Sequence, residues 1–94
     1  MKVSVKFFAH LPDRLGKKAI DEVDCEEGAT ISTLLDWLFL DSKIKDALFD
    51  KNQKIRSDIT ILKNGREIKF LDGLETRVNS GDEIAIFPLV VGGQ

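Results

Sequence analysis

The chain has 94 residues, of which 43% are hydrophobic and 32% are charged, and its formal net charge is -2 at pH 7. This length suits one compact domain, and the lack of excess Lys and Arg argues against non-specific binding to nucleic acid. Cys25 is the single cysteine, which excludes an internal disulfide and a cysteine-based metal cluster. No apolar run approaches the roughly 18 residues that a membrane span requires. We therefore expect a cytoplasmic protein that binds neither membrane nor nucleic acid.

The first 25 residues predict two strands. Residues 2–8 alternate between apolar and mainly polar positions, which is typical of a half-buried strand, and Phe8 falls on the polar side. A loop marked by Pro12 and Gly16 is expected next. Residues 19–25 then predict the second strand.

Two helices are predicted in the middle of the chain. Thr30 is placed to accept a hydrogen bond from an unpaired amide of the first turn. Apolar residues follow at helical spacing, namely Ile31, Leu34, Leu35 and Leu38. Trp37 and Phe39 flank this stripe and are expected in the core. Residues 41–48 predict a shorter helix that shelters Leu40.

The second half of the chain predicts a hairpin and a last strand. Residues 59–63 form the first arm, and Asn64-Gly65 is a strong turn signal because both central positions of a type I′ turn need positive φ. Residues 66–68 return as a short edge strand. Residues 83–87 predict the last strand, whose pairing should end at Pro88 because proline has no amide hydrogen.

This order of elements predicts an α+β fold, in which a mixed sheet of about five strands packs one main helix and a short second helix on one face. We expect residues 1–88 to form this domain and residues 89–94 to form a flexible tail. The tail ends in Gly92-Gly93-Gln94. Because glycine has no Cβ atom, such an end can enter a cleft that other residues would block.

Several segments together resemble the ubiquitin-fold sulfur carriers of the MoaD/ThiS family, most closely the small subunit of molybdopterin synthase (MoaD). The segments are Val5–Ala9, Thr30-Ile31 with Leu34-Leu35, Ile61–Gly65, Gly81–Pro88 and Val91 through Gly92-Gly93. The resemblance spans nearly the whole chain and implies a β-grasp fold. Family members usually finish at the second glycine, so Gln94 is a departure that a peptidase would have to remove.

The resemblance also implies a chemistry at the end of the chain. An E1-like activating enzyme of the MoeB/ThiF type would use ATP to adenylate the Gly93 carboxylate, and sulfur transfer would give a thiocarboxylate. Gly92 would provide clearance beside the reactive Gly93. The sulfur would pass to a pterin precursor in the large, MoaE-type subunit of the synthase. On this interpretation the chain is not catalytic alone, and it binds no cofactor or metal of its own.

A docking surface is predicted beside this tail. If Ile84 and Ile86 face the helix, Phe87 projects from the opposite face of the sheet, as do Phe8 and Leu62. Partner contacts are therefore predicted at Phe8, Leu62, Phe87, Pro88, Leu89 and Val91.

Two alternatives to the sulfur carrier remain open. In the first, the chain is a ubiquitin-like modifier that is joined through Gly93 to lysine amines. In the second, it is a β-grasp interaction module with an inert tail, because Gln94 is never removed. Cys25 is expected to be a partly buried structural residue, and Asp82-Glu83 to be solvated charges or turn residues.

Overall fold

The computed structural model describes residues 1–89, which form a five-stranded mixed sheet. In chain order the elements are β1 (Lys2–Phe7), α1 (Leu11–Leu15), β2 (Ala19–Asp24), α2 (Ile31–Leu38), α3 (Ser42–Leu48), β3 (Ile59–Lys63), β4 (Arg66–Glu67) and β5 (Glu83–Pro88). Two short 3₁₀ helices, Ile68–Phe70 and Gly73–Glu75, lie between β4 and β5.

The strand order across the sheet is β2-β1-β5-β3-β4, with β5 in the centre. The central pair β1 and β5 is parallel, and the other neighbouring strands are antiparallel. Two hairpins joined through a helix are the β-grasp arrangement, so the predicted fold class is confirmed. No helix within residues 1–89 has both the length and the apolar character to cross a bilayer.

The core lies between one face of the sheet and the helices. The sheet contributes buried side chains from its three central strands, namely Val3, Val5, Phe7, Ile59, Ile61, Ile84 and Ile86. Helix α2 contributes the predicted stripe of Ile31, Leu34, Leu35 and Leu38, each buried. The buried residues of α1, α2 and α3 all belong to this one core, so within residues 1–89 the other face of the sheet carries no helix.

Side-chain caps explain where the two longer helices begin. The Thr30 hydroxyl accepts a hydrogen bond from the Thr33 amide at 3.2 Å, as predicted. The Asp41 carboxylate accepts from the Lys43 amide at 2.9 Å and from the Ile44 amide at 3.4 Å at the start of α3. The bond from the Lys43 amide is the main cause of the lowered pKa of Asp41.

The predicted loop around Pro12 is wrong, because the structure has the short helix α1 there. Proline is tolerated in the first turn of a helix, where an amide hydrogen would have no partner within the helix. Gly16 ends the helix with φ of 73°, and its amide bonds to the Pro12 carbonyl at 2.9 Å. The buried side chains of Leu11 and Leu15 hold α1 against the core.

Strand β2 pairs with β1 through an irregular register. Val3 lies opposite Val23, whereas Val5 lies opposite Ile20, so two steps on β1 match three on β2. The extra residue is a β-bulge, which allows Ile20 and Val23 to pack on the same side despite their odd spacing. The strand is predicted correctly, but the bulge is not visible in the sequence.

Two apolar residues near the end of α2 lie outside the core, contrary to expectation. Trp37 is 45% exposed and Leu40 is 83% exposed. Trp37 lies beside the buried stripe of α2, and α3 turns its own apolar residues toward the core instead of covering Leu40. Phe39 is partly buried and packs edge-on against Phe49, with ring centroids 4.4 Å apart.

Candidate functional site

The end of β5 determines where the tail begins. Leu89 donates its amide hydrogen to the Asp58 carbonyl at 2.7 Å. Because hydrogen bonds alternate between the two sides of a strand, Pro88, which lies opposite Ile59, turns its ring nitrogen toward β1. Pairing with β1 therefore stops at Pro88, as predicted. Pairing with β3 continues for one more residue, so that part of the prediction is wrong.

The helix-free face of the sheet carries an apolar patch beside this strand end. The rings of Phe8 and Phe87 meet edge to face with centroids 6.5 Å apart. Phe8 is 47% exposed, and Leu62 and Phe87 are half-buried. These three residues and Ala85 line one shallow depression, and we call the four together the apolar patch. The predicted grouping of Phe8, Leu62 and Phe87 is thus observed.

Charged side chains border the patch. Lys6 and Glu83 form an ion pair at 2.9 Å across the parallel β1–β5 ladder, and both side chains are at least 43% exposed. Glu83 also lines the depression itself. An apolar centre with a polar rim is the usual composition of a protein–protein contact surface.

Pro88 and Leu89, the other predicted partner contacts that the structure describes, do not line the apolar patch. Pro88 is buried on the inner face of the sheet, and Leu89 is 55% exposed at the strand end. Val91, Gly92 and Gly93 lie outside the described residues. Because Pro88 lies in β5 and Leu89 is bonded to Asp58, only the four residues from Val90 to Gly93 could extend beyond the sheet, by at most roughly 13–14 Å.

The Gly81-Asp82-Glu83 segment at the start of β5 has a structural role. Asp82 is 7% exposed and therefore not a solvated charge, but it is a turn residue, which was the other prediction, since its amide donates to the Asn79 carbonyl at 3.0 Å. Its carboxylate accepts from the Asn64 side chain at 2.9 Å and from the Asn79 amide at 2.7 Å. Asn64 in turn accepts from the Glu83 amide at 2.9 Å. These bonds join the β3–β4 hairpin to the start of β5, and they fix the register of the strand that carries Phe87.

Cys25 matches the structural role expected of it. It is partly buried and packs against the core. Burial raises the pKa of its thiol, which disfavours the reactive thiolate. The part of the chain that the structure describes holds no group of three or more His, Cys, Asp or Glu residues suited to a metal ion.

Two contributions to this site were not predicted. Ala85 belongs to the apolar patch, and the alternation along β5 that places Phe87 outward also indicates Ala85. The carbonyl of Asp58 holds Leu89, but a backbone contact between distant segments leaves no signal in a single sequence.

Comparison with known proteins agrees with this architecture. Small archaeal modifier protein 3 of Haloferax volcanii is 32% identical over 94 residues, covering 99% of this chain and 100% of that protein. The solution structure of small archaeal modifier protein 1 from Methanosarcina acetivorans is 33% identical with a TM-score of 0.77, covering 98% of this chain and 96% of that one. A chain of the BexX/CysO complex of Amycolatopsis orientalis is 29% identical with a TM-score of 0.71, covering 97% and 99% respectively.

The family assignment rests on nearly the whole chain. The model of the ThiS family matches residues 5–93, which include the second half of β1, all the later strands and helices, and the Gly92-Gly93 pair. The protein therefore belongs to the ThiS family and has the ubiquitin-like β-grasp fold of its sulfur carriers and modifiers.

Proposed function

We propose that this protein is a sulfur carrier that resembles the small subunit of molybdopterin synthase. A peptidase first removes Gln94. The Gly93 carboxylate then attacks the α-phosphate of ATP in an E1-like activating enzyme, and pyrophosphate leaves. Hydrosulfide, the sulfur co-reactant, attacks the carbonyl carbon of the acyl adenylate, AMP leaves, and loss of a proton gives a thiocarboxylate on Gly93. In the large synthase subunit this sulfur forms a bond to the pterin precursor. Water then cleaves the acyl–sulfur bond, which leaves the sulfur on the pterin and returns the Gly93 carboxylate.

One observation supports the proposal most strongly. The apolar patch lies on the helix-free face of the sheet at the end of β5, the strand from which the chain continues to Gly92-Gly93. A partner that binds the patch therefore receives the carboxylate within reach of its own active site. The domain supplies a tethered reactant, which raises its effective concentration there, and it supplies no acid or base.

A second candidate is a ubiquitin-like modifier, in which a lysine amine attacks the activated Gly93 and forms an isopeptide bond. The observation that favours it is the similarity to small archaeal modifier proteins 1 and 3 over almost the entire chain. Both candidates begin with the same adenylation and need the same patch. They differ in the nucleophile that attacks the activated Gly93, which is hydrosulfide for the carrier and a lysine amine for the modifier.

Reconstitution tests the shared first step. We expect a chain that ends at Gly93 to support ATP–pyrophosphate exchange by the E1-like enzyme of the same organism. The matched control is the chain that retains Gln94, which should support none. If neither chain supports exchange, or if both do so equally, activation of Gly93 is refuted and an interaction module with an inert tail is favoured.

The second step separates the two candidates. Thiocarboxylated protein is mixed with a large synthase subunit and the pterin precursor. In parallel, the chain that ends in the Gly93 carboxylate is mixed with a cell extract and ATP. Sulfur incorporation into the pterin supports the carrier. Lysine-linked adducts in the extract, without sulfur incorporation, support the modifier.

A further inference from the structure

Arg56 and Asp58 form a bidentate ion pair just before β3. The Arg56 Nε donates to Asp58 Oδ1 at 3.0 Å, and Nη2 donates to Asp58 Oδ2 at 2.6 Å. Their side chains are only 32% and 39% exposed. Two parallel charge-assisted bonds of this kind restrict the orientation of both groups more than a single contact does.

The arginine is also attached to the end of α3. Its amide donates to the Leu48 carbonyl at 2.8 Å, and its Nη1 lies 3.5 Å from the Ala47 carbonyl. These carbonyls belong to the last turn of a helix, where partners within the helix are lacking. Because Ala47 and Leu48 are fully buried, Arg56 is tied to a rigid part of the core.

The aspartate holds the last described residue of the chain. Its carbonyl accepts the Leu89 amide at 2.7 Å. On the other side of β5, Pro88 has no amide hydrogen with which to bond to β1. Leu89 has a side chain that is 55% exposed, so packing restrains it little. The bond to Asp58 therefore holds the backbone of Leu89 in line with β3 at the end of β5.

We propose that Arg56 and Asp58 are positioning residues that aim the C-terminal segment during transfer from Gly93. The ion pair fixes Asp58 against α3, and Asp58 fixes Leu89. A chain that starts in a fixed direction samples fewer orientations, so its end reaches a partner's active site more often while the body is docked on the apolar patch. This inference rests on the proposed function, since it concerns the same acyl transfer.

The first test asks whether the Arg56–Asp58 ion pair restrains Leu89, and it uses NMR to measure the hydrogen-exchange rate of the Leu89 amide. In Asp58→Asn, which keeps the shape but loses the charge, and in Arg56→Gln we expect the Leu89 amide to exchange about tenfold faster, because the Asp58 carbonyl is still present but the ion pair no longer holds it in place. Amides of the β1–β5 ladder should exchange at the unchanged rate. Asp24→Asn, which breaks the exposed Lys2–Asp24 pair, is the matched control and should leave Leu89 unaffected. An unchanged exchange rate of the Leu89 amide in both Asp58→Asn and Arg56→Gln would overturn the proposal.

The second test measures the consequence for transfer. For chains that end at Gly93, we expect kcat of adenylation to fall about tenfold in Asp58→Asn because the reacting group is misplaced. The dissociation constant for the activating enzyme, measured by calorimetry, should not change. Loss of a purely structural residue would lower kcat and raise the dissociation constant together, or would change neither. Equal kcat values in the variant and the wild type would therefore overturn the positioning role. If the wild type itself is not adenylated, the proposed function fails. The Leu89 exchange rates still decide whether Arg56 and Asp58 restrain Leu89.

Discussion

The rings of Phe8 and Phe87 meet edge to face on the helix-free side of the sheet, with centroids 6.5 Å apart. Phe8 directly follows β1, and Phe87 lies in β5. The parallel pairing of these two central strands therefore brings the rings together. Half-exposed aromatic side chains are typical centres of protein–protein contacts. The contact thus connects the topology of the fold with its docking surface.

Truncation of this contact should weaken docking and leave the fold intact. We expect Phe87→Ala to raise the dissociation constant for the activating enzyme by about tenfold or more, the usual loss for a central aromatic contact. Titration calorimetry measures this change, and circular dichroism checks the fold. Leu40→Ala is the control, because Leu40 is 83% exposed but lies at the end of α2, away from the patch. Equal affinities for the wild type and Phe87→Ala would remove the patch from the account.

The buried carboxylate of Asp82 should contribute strongly to stability. Asp82→Ala leaves the Asn64 side-chain amide and the Asn79 amide without their acceptor, and an unpaired buried group costs about 1–3 kcal/mol. Urea denaturation should therefore show a clearly lower midpoint. Asp24→Ala, at a fully exposed ion pair, should change the midpoint much less. Similar midpoints for the two variants would show that the Asp82 network is not stabilising.

Stability should decrease in acid partly through Asp41. Its pKa in the folded protein lies below the ordinary value of 3.8, first because its carboxylate accepts the Lys43 amide. A lowered folded pKa stabilises the protein at pH values above 3.8, and this contribution is lost as the pH falls through the folded pKa. Asp41→Asn can still cap α3 but cannot titrate, so its free energy of unfolding should fall less between pH 5 and pH 2. Equal pH dependence in the two proteins would contradict this role.

Cys25 should react slowly with alkylating reagents in the folded protein. Burial raises the pKa of its thiol, so less thiolate is present at a given pH than in the unfolded chain. We expect iodoacetamide to modify the native protein more slowly than the urea-unfolded protein at the same pH. Mass spectrometry follows the reaction, and equal rates would show that the thiol is not protected.

The sequence predicted most of the fold because its main elements carry local signals. The α2 stripe and its Thr30 cap, the alternation in β1 and the Asn64-Gly65 turn each follow from spacing or backbone preference. Asn64 and Gly65 adopt φ of 49° and 85°, as the turn requires. The helix α1 was missed because Pro12 at its first turn looks like a loop residue when no partner for Leu11 and Leu15 is visible.

The site was predictable only where it depends on strand alternation. Phe8 and Phe87 could be placed on one face because side chains alternate along a strand. The burial of Asp82 and the bond between Asp58 and Leu89 depend on contacts between segments far apart in the chain. Such contacts follow from the assembled sheet, and no local pattern in the sequence reports them.

The most direct test of the account is the intact mass of the protein isolated from its native cells during sulfur-replete growth. We predict a species that lacks Gln94 and ends at Gly93, with one oxygen of its carboxylate replaced by sulfur. A homogeneous full-length chain that still ends in Gln94 would contradict the central claim that Gly93 is the reactive end of this protein.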